Sequence, residues 1–302
     1  MLELYSFPFA AMGTDCNLYF YATEESRAEE IAALAISEAQ RIEGRYSRYN
    51  PDSLLSKINR VAQAGGSIEV DEETGDLLDH AFRWYLKSGR LFDISSGVLR
   101  KAWGDFSANT LPDDKTIKNL LPGIGFDKIL WTNPGLAFLV PGMELDFGGI
   151  GKEYAADRMV ETCIAQGVLH GLVNLGGDIN VIGPHPDNDP WLVDIRHPRQ
   201  AESSIATIEL SHGALASSGD YERCIDIDGV RYGHIISPLT GWPVRGLTSV
   251  SVIAGRCMEA GSISTVAMLK GVGGIQWLAE LGLPHLWVDE FGKQGGSLAI
   301  HP

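Results

Sequence analysis

Residues 144–157, Glu-Leu-Asp-Phe-Gly-Gly-Ile-Gly-Lys-Glu-Tyr-Ala-Ala-Asp, restrict what this chain can build more than any other stretch. An apolar run ends in the Asp146 carboxylate, three glycines follow, and Lys152 opens a helical pattern that reaches about Gln166. Glycine lets backbone turn sharply and approach a ligand closely. A helix start adds free N–H groups and the positive end of the macrodipole. With one fixed ammonium, the layout suits a phosphate or pyrophosphate. It is not a P-loop, because Asp146 and Glu153 hold the places where that motif needs its first Gly and its Ser or Thr. A tightly packed strand-to-helix turn with no ligand accounts for the same residues equally well.

Composition narrows the function classes. With 44% hydrophobic and 21% charged residues, the 302-residue chain reads as an ordinary globular protein. A net charge of −15 and the lack of a basic stripe exclude a nucleic-acid surface. An anionic ligand therefore needs local help from Lys152, helix N-termini or a divalent metal. Cys16, Cys163, Cys224 and Cys257 show no metal spacing and read as buried thiols in a reducing compartment. The N-terminus carries no secretory pattern and no window approaches the ~18 apolar residues of a membrane span. The expectation is a cytoplasmic protein with no membrane span.

Periodicity predicts an α+β chain with a mixed β-sheet and packed helices, continuous over residues 1–302 as a single domain. A strand over 14–22 is entered through Met12-Gly13-Thr14, and a helix capped by Thr23 runs past Ile42. A short helix starts at Ser53, and an amphipathic helix spans 71–88. Further helices are expected at 98–103 and 111–121, with a hairpin-like approach over 136–147 to the glycine turn. After the helix of 152–166, strands dominate: 171–182, 191–196, 205–210, 224–229, 231–236 and 249–253. Helices at 262–268 and 275–281 and strands at 286–289 and 297–300 close the chain.

Four more glycine-bearing polar segments lie at the edges of apolar runs. They include Val173-Asn174-Leu175-Gly176-Gly177-Asp178, Ala216-Ser217-Ser218-Gly219-Asp220-Tyr221, and the run from Gly233-His234 to Thr240-Gly241-Trp242-Pro243. Each alone is ordinary turn chemistry, but together they suggest loops converging on one ligand. His234 is the candidate acid or base, since an ordinary pKa of ~6.5 suits proton transfer near neutrality. No histidine pair has zinc spacing.

Taken in order, these segments resemble the FAD:protein FMN transferase family, also called the ApbE family. The match runs through Met12-Gly13-Thr14, Glu43, Ser47-Arg48-Tyr49, Phe92-Asp93, Leu111-Pro112-Asp113, Leu145-Asp146 to Lys152, Asn174 to Asp178, Ala216 to Tyr221, His234 to Pro243 and Ser264-Thr265. The resemblance implies an ApbE-like (T-fold-like) domain that binds FAD with Mg²⁺ on the pyrophosphate. It implies transfer of the FMN half to a Ser or Thr hydroxyl of an acceptor flavoprotein, with release of AMP. His234 matches the family's proton acceptor. Met12, Tyr49, Asp93, Asp146, Lys152, Asp178, Ser218 and Thr240 fall on FAD-site segments, and Gly149 and Thr265 on metal-site positions. The chain departs from the pattern where the family's metal-binding Asp is replaced by Gly261, with Glu259 and Ser262 as nearby oxygen donors. It also carries Ser237 and Leu239 where the family has Asp and Arg. Two alternatives follow from these departures: an FAD-binding carrier without activity, or a metal-dependent FAD pyrophosphatase.

Overall fold

In the computed structural model, residues 1–104, 106, 110–200 and 203–298 are described. The chain opens with the hairpin β1 (Glu3–Ala11) and β2 (Thr14–Ala22), turned by Met12 and Gly13 at φ 54° and 74°. Positive φ at both central residues gives a two-residue turn that follows the strands' own twist. The helices α1 (Glu25–Tyr46), α2 (Leu54–Ala64) and α3 (Glu72–Lys87) flank the short β3 (Ser67–Glu69). Two of these starts match their caps: Ser53 and Asp71 accept the Ser56 and Thr74 amides. The first helix does not, because Glu24 rather than Thr23 is its N-cap and makes no side-chain bond.

Next come α4 (Arg100–Trp103), α5 (Asp114–Leu120) and the hairpin β4 (Ile129–Thr132) and β5 (Gly135–Phe138). The hairpin expected over 136–147 thus lies earlier, and β5 pairs with β3 and β4. After α6 (Gly151–Ala165), β6 (Gly171–Leu175) and β7 (Asp178–Gly183) form a third hairpin through Gly176 and Gly177, at φ 64° and 99°. There follow β8 (Trp191–Arg196), β9 (Ser204–Leu210), β10 (Gly213–Gly219), β11 (Cys224–Ile227), β12 (Val230–Gly233) and β13 (Leu247–Ala254). The chain then runs through α7 (Cys257–Leu269), α8 (Gly273–Leu281), β14 (His285–Asp289) and β15 (Gln294–Gly295). The closing strand expected at 297–300 lies partly outside the described residues.

The main sheet has the order β1-β2-β6-β7-β10-β13-β14-β15. Every neighbouring pair is antiparallel, so the α+β class stands while the mixed sheet becomes an antiparallel one. Tight glycine turns join β1 to β2 and β6 to β7 directly, whereas the neighbours β2 and β6, β7 and β10, β10 and β13, and β13 and β14 are linked by longer excursions of the chain.

Alternation along the strands sorts the two faces. Leu18, Phe20, Val173, Leu175, Ala214, Ala216, Val250 and Val252 face one way and join α1, α6 and α7 in the principal core. Leu172, Ile179, Val181 and Leu215 face the other way and are covered by Trp191, Val193 and Ile195 of β8 and Ala206, Ile208 and Leu210 of β9. Helix α1 buries Ala28, Ile31, Ala32, Ala35, Ala39 and Ile42, a repeat of three and four residues whose small side chains let α6 come close. None of the helices among the described residues is long and apolar enough to cross a membrane.

Two polar groups tie this layer together. Asp157 of α6 is 3% exposed and accepts the amides of Cys257 at 2.8 Å and Met258 at 3.2 Å, capping α7 from a neighbouring helix. Asn180 of β7 donates to the same carboxylate at 2.7 Å. Burial raises the Asp157 pKa, against the amide hydrogen bonds that lower it. Sheet, cradle helix and α7 therefore share one buried hub.

Candidate active site

A cleft of about 1360 Å³ opens where the strand ends and helix starts meet. It exceeds the ~300–1,000 Å³ of ordinary small-molecule pockets, and so has room for a large ligand together with part of a second molecule. Its walls come from the turn at Met12, the glycine turn of 146–149, the turn at Gly176, the end of β10 and the segment after β12. The polar glycine segments do converge.

The hairpin turns fit one another closely. A Cβ at Gly176 would lie 2.5 Å from Thr14 Oγ1, at a φ of 64°. Both features require glycine there. Asn174 Oδ1 accepts the Gly177 amide at 2.8 Å and completes the turn.

Asp146 lies at the cleft wall, held by Arg48 Nη1 at 2.6 Å and approached by Arg100 Nε at 3.4 Å. Its Oδ1 accepts the Gly148 amide at 2.9 Å. Arg48 also bonds Glu144, and Arg100 donates to the Tyr49 hydroxyl at 2.8 Å. Tyr49 itself is exposed, at the mouth. Arg48 was legible only as the neighbour of Tyr49 in the Ser47-Arg48-Tyr49 run.

Lys152 projects from the first turn of α6 and meets Asp178 at 2.6 Å. Burial opposes its charge, but the carboxylates of Asp178 and Glu153 outweigh burial and raise its pKa. Asp178 is 3% exposed in its side chain and lies behind the wall, touching the cleft through Lys152. Its other oxygen accepts the Ser217 amide at 3.3 Å.

Asp93 reaches the cleft lining with both oxygens committed, to Ser95 N at 2.9 Å and Oγ at 2.6 Å and to Phe126 N at 3.2 Å. Burial raises its pKa against these bonds. Its carboxylate holds the 93–97 turn beside Asp146.

Ser218 continues the helix-facing side of β10, and its hydroxyl meets Ser264 at 2.8 Å and Thr265 at 3.0 Å. Thr265, Gly149 and Ser218 all line the cleft. Thr240 does not: it is exposed, and its Oγ1 accepts the Trp242 amide at 3.2 Å within its own turn.

His234 follows the last residue of β12 rather than sitting inside the strand. It lines the cleft, and its Nδ1 is buried with no hydrogen-bond partner among the described residues. Burial, helped by the nearby Arg223 charge, lowers its pKa to about 4. The ring is therefore neutral at physiological pH.

Neither oxygen donor expected beside Gly261 faces the cleft. Glu259 is exposed, and Ser262 is fully buried, its hydroxyl shared between Met258 O and His80 Nε2, each at 2.8 Å. Glu153 stands there instead. It is 7% exposed, its Oε2 has no partner among the described residues, and burial pushes its pKa up to about 7. The signal was its place directly after Lys152 in the glycine-rich run.

Residues 12–287 match the model of the ApbE family. The chain belongs to the ApbE family. Among curated relatives, the FAD:protein FMN transferase of Treponema pallidum is 31% identical over 289 residues, 88% of this chain and 79% of that protein. The FAD:protein FMN transferase of Rhodobacter capsulatus is 30% identical over 269 residues, 87% of this chain but 51% of that longer protein. The chain therefore spans about half the length of the Rhodobacter relative. The crystal structure of the ApbE protein of Thermotoga maritima superposes with a TM-score of 0.88 at 31% identity, over 98% of this chain and 97% of that one. The flavin transferase ApbE of Vibrio cholerae gives 0.87 at 25% identity, over 98% of each chain. The ApbE fold expected from the motifs is thus the fold observed.

Proposed function

We propose that this chain is an FAD:protein FMN transferase, moving the FMN half of FAD to a Ser or Thr hydroxyl of an acceptor flavoprotein and releasing AMP. Residues 1–302 act as a single flavin transferase domain, since one cleft draws its walls from Met12 through Thr265. The observation that carries the reading is His234, a neutral cleft histidine whose buried Nδ1 has no partner among the described residues. Relatives matched along most of this chain carry the same activity in their names.

In the reaction the acceptor hydroxyl oxygen bonds to the FMN-side phosphorus while the bond from that phosphorus to the bridging oxygen breaks. AMP leaves with that oxygen, and the hydroxyl proton passes to His234. Positioning and charge compensation carry most of such catalysis. The turns at Met12 and Gly149 and the Lys152–Asp178 pair hold the dinucleotide, with Asp146 and Tyr49 at the mouth. Glu153, whose Oε2 has no partner among the described residues, would hold Mg²⁺ together with Thr265 and Gly149 of the same cleft lining, since this hard cation takes one or two carboxylates and completes its shell with water and phosphate. When bound, it neutralises charge on the pyrophosphate.

The test mixes protein, FAD, Mg²⁺ and a flavoprotein acceptor, and follows AMP alongside the acceptor's intact mass. AMP together with an FMN-sized mass gain is expected. AMP without a gain would make the protein a pyrophosphatase, and intact bound FAD would make it a flavin-binding protein.

A further inference from the structure

We propose that Glu153 is the carboxylate ligand of the cleft's divalent cation, taking the place that a side chain at residue 261 would fill. The inference rests on the transferase reading for the cation's purpose, but on geometry for its location.

Gly261 and Thr265 are four residues apart on α7 and share a face. That face looks into the cleft at Thr265. A Cβ built at Gly261 would lie 2.5 Å from Glu153 Cγ and 2.6 Å from its Oε1. The space beside residue 261 is therefore already filled, by a carboxylate carried on the neighbouring helix. Asp157 fixes the approach of α6 to α7 and so keeps Glu153 against this gap.

The carboxylate lacks what a buried charge needs. Its Oε2 has no hydrogen-bond partner among the described residues, whereas buried polar atoms are almost always satisfied. Lys152, adjacent in sequence, is spent on Asp178 at 2.6 Å. No group of three or more His, Cys, Asp or Glu suited to a metal exists among the described residues. With one carboxylate and a threonine hydroxyl on the same cleft lining, such a site would be an open one, which suits Mg²⁺ or Mn²⁺ shared with substrate phosphates and not a closed zinc site. The same packing sets the outcome of Gly261→Asp. Without removal of Glu153, the new side chain collides with it and brings two carboxylates into one space.

The test measures Mn²⁺ binding by the loss of the free-ion paramagnetic resonance signal, with FAD affinity followed separately by flavin fluorescence. Four proteins are compared: wild type, Glu153→Gln, Gly261→Asp and Glu153→Gly/Gly261→Asp. Glu153→Gln is nearly isosteric and should lose Mn²⁺ affinity roughly tenfold or more, while keeping metal-free FAD binding. The double variant should regain affinity to within a few-fold of wild type, whereas Gly261→Asp alone should not exceed it. Unchanged Mn²⁺ affinity in Glu153→Gln would overturn the assignment. So would a wild type that binds FAD but no Mn²⁺. A wild type that binds Mn²⁺ but no flavin would support the cation site and remove the transferase reading.

Discussion

Replacing Lys152 by methionine separates the role that the structure gives its ammonium, neutralising a buried carboxylate, from the proposed one of meeting the ligand. The side chain of Asp178 is 3% exposed and that of Lys152 29%. Removing one member of a buried ion pair costs about 3–5 kcal/mol. Lys152→Met leaves the more deeply buried partner uncompensated, close to the unpartnered Glu153, so its cost belongs near the top of that range, ~4–5 kcal/mol. Asp178→Asn leaves a lysine that can still reach water and retains a hydrogen-bond acceptor, so ~3 kcal/mol or less is expected. In the double variant neither charge remains, and its cost should fall short of the sum of the singles by ~2 kcal/mol. Urea unfolding followed by tryptophan fluorescence gives all three values, and flavin fluorescence gives FAD affinity. Affinity should drop in Lys152→Met and stay low in the double variant, although part of the summed stability cost is recovered there. Additive single costs below ~1 kcal/mol would refute the buried-pair argument.

Further outcomes follow from individual groups. His234→Ala should leave FAD affinity unchanged and slow transfer by ~10²–10⁴-fold; an unaltered rate of acceptor mass gain would remove its role as proton acceptor. With the His234 pKa at about 4, wild-type transfer should show no loss of rate between pH 8 and 6 from this group; an acid limb near 6.5 that disappears in His234→Ala would contradict its burial. His80, against Ser262 in the core, is likewise lowered to about 4 by burial first and nearby cations second. The unfolded chain takes up its proton near 6.5 and the folded chain near 4, so stability should fall as pH drops through that window and level off below it. Urea midpoints at pH 7 and 4.5 measure this, and a His80→Gln variant with an equal acid loss would exclude His80 as a source. Gly176→Ala should destabilise by ~1–2 kcal/mol from its φ of 64° alone, with Thr14 adding to it; a loss no larger than that would mean that the two hairpin turns do not touch, and an unchanged midpoint would refute the left-handed turn itself.

Local rules made much of this legible. The starts at Ser53 and Asp71, the two-residue glycine turns and the alternation of Trp191–Arg196 follow from capping, positive φ and the pleat. The first strand was missed because Glu3, Ser6 and Pro8 spoil its pattern. The structure places it at the sheet's edge, where proline forfeits no essential ladder bond. The cleft's glycine segments were legible as turns, and so was His234. Thr240 shows the limit, since the same turn chemistry satisfies a loop that faces solvent. Glu153 shows another: its place after Lys152 in the glycine-rich run marks it, but only the third dimension sets it against a glycine 108 positions later.

The buried hub at Asp157 bears on how the protein opens. Because a side chain of α6 holds the first amides of α7 and also the amide group of Asn180, those elements cannot loosen one at a time without stranding a carboxylate in the core. They form one cooperative unit. The Cys257 and Met258 amides should therefore exchange with solvent deuterium as slowly as the central strands, although they stand at a helix terminus, where fraying is ordinarily fastest. On this reasoning, breathing of the cleft should be confined to the turns on its rim.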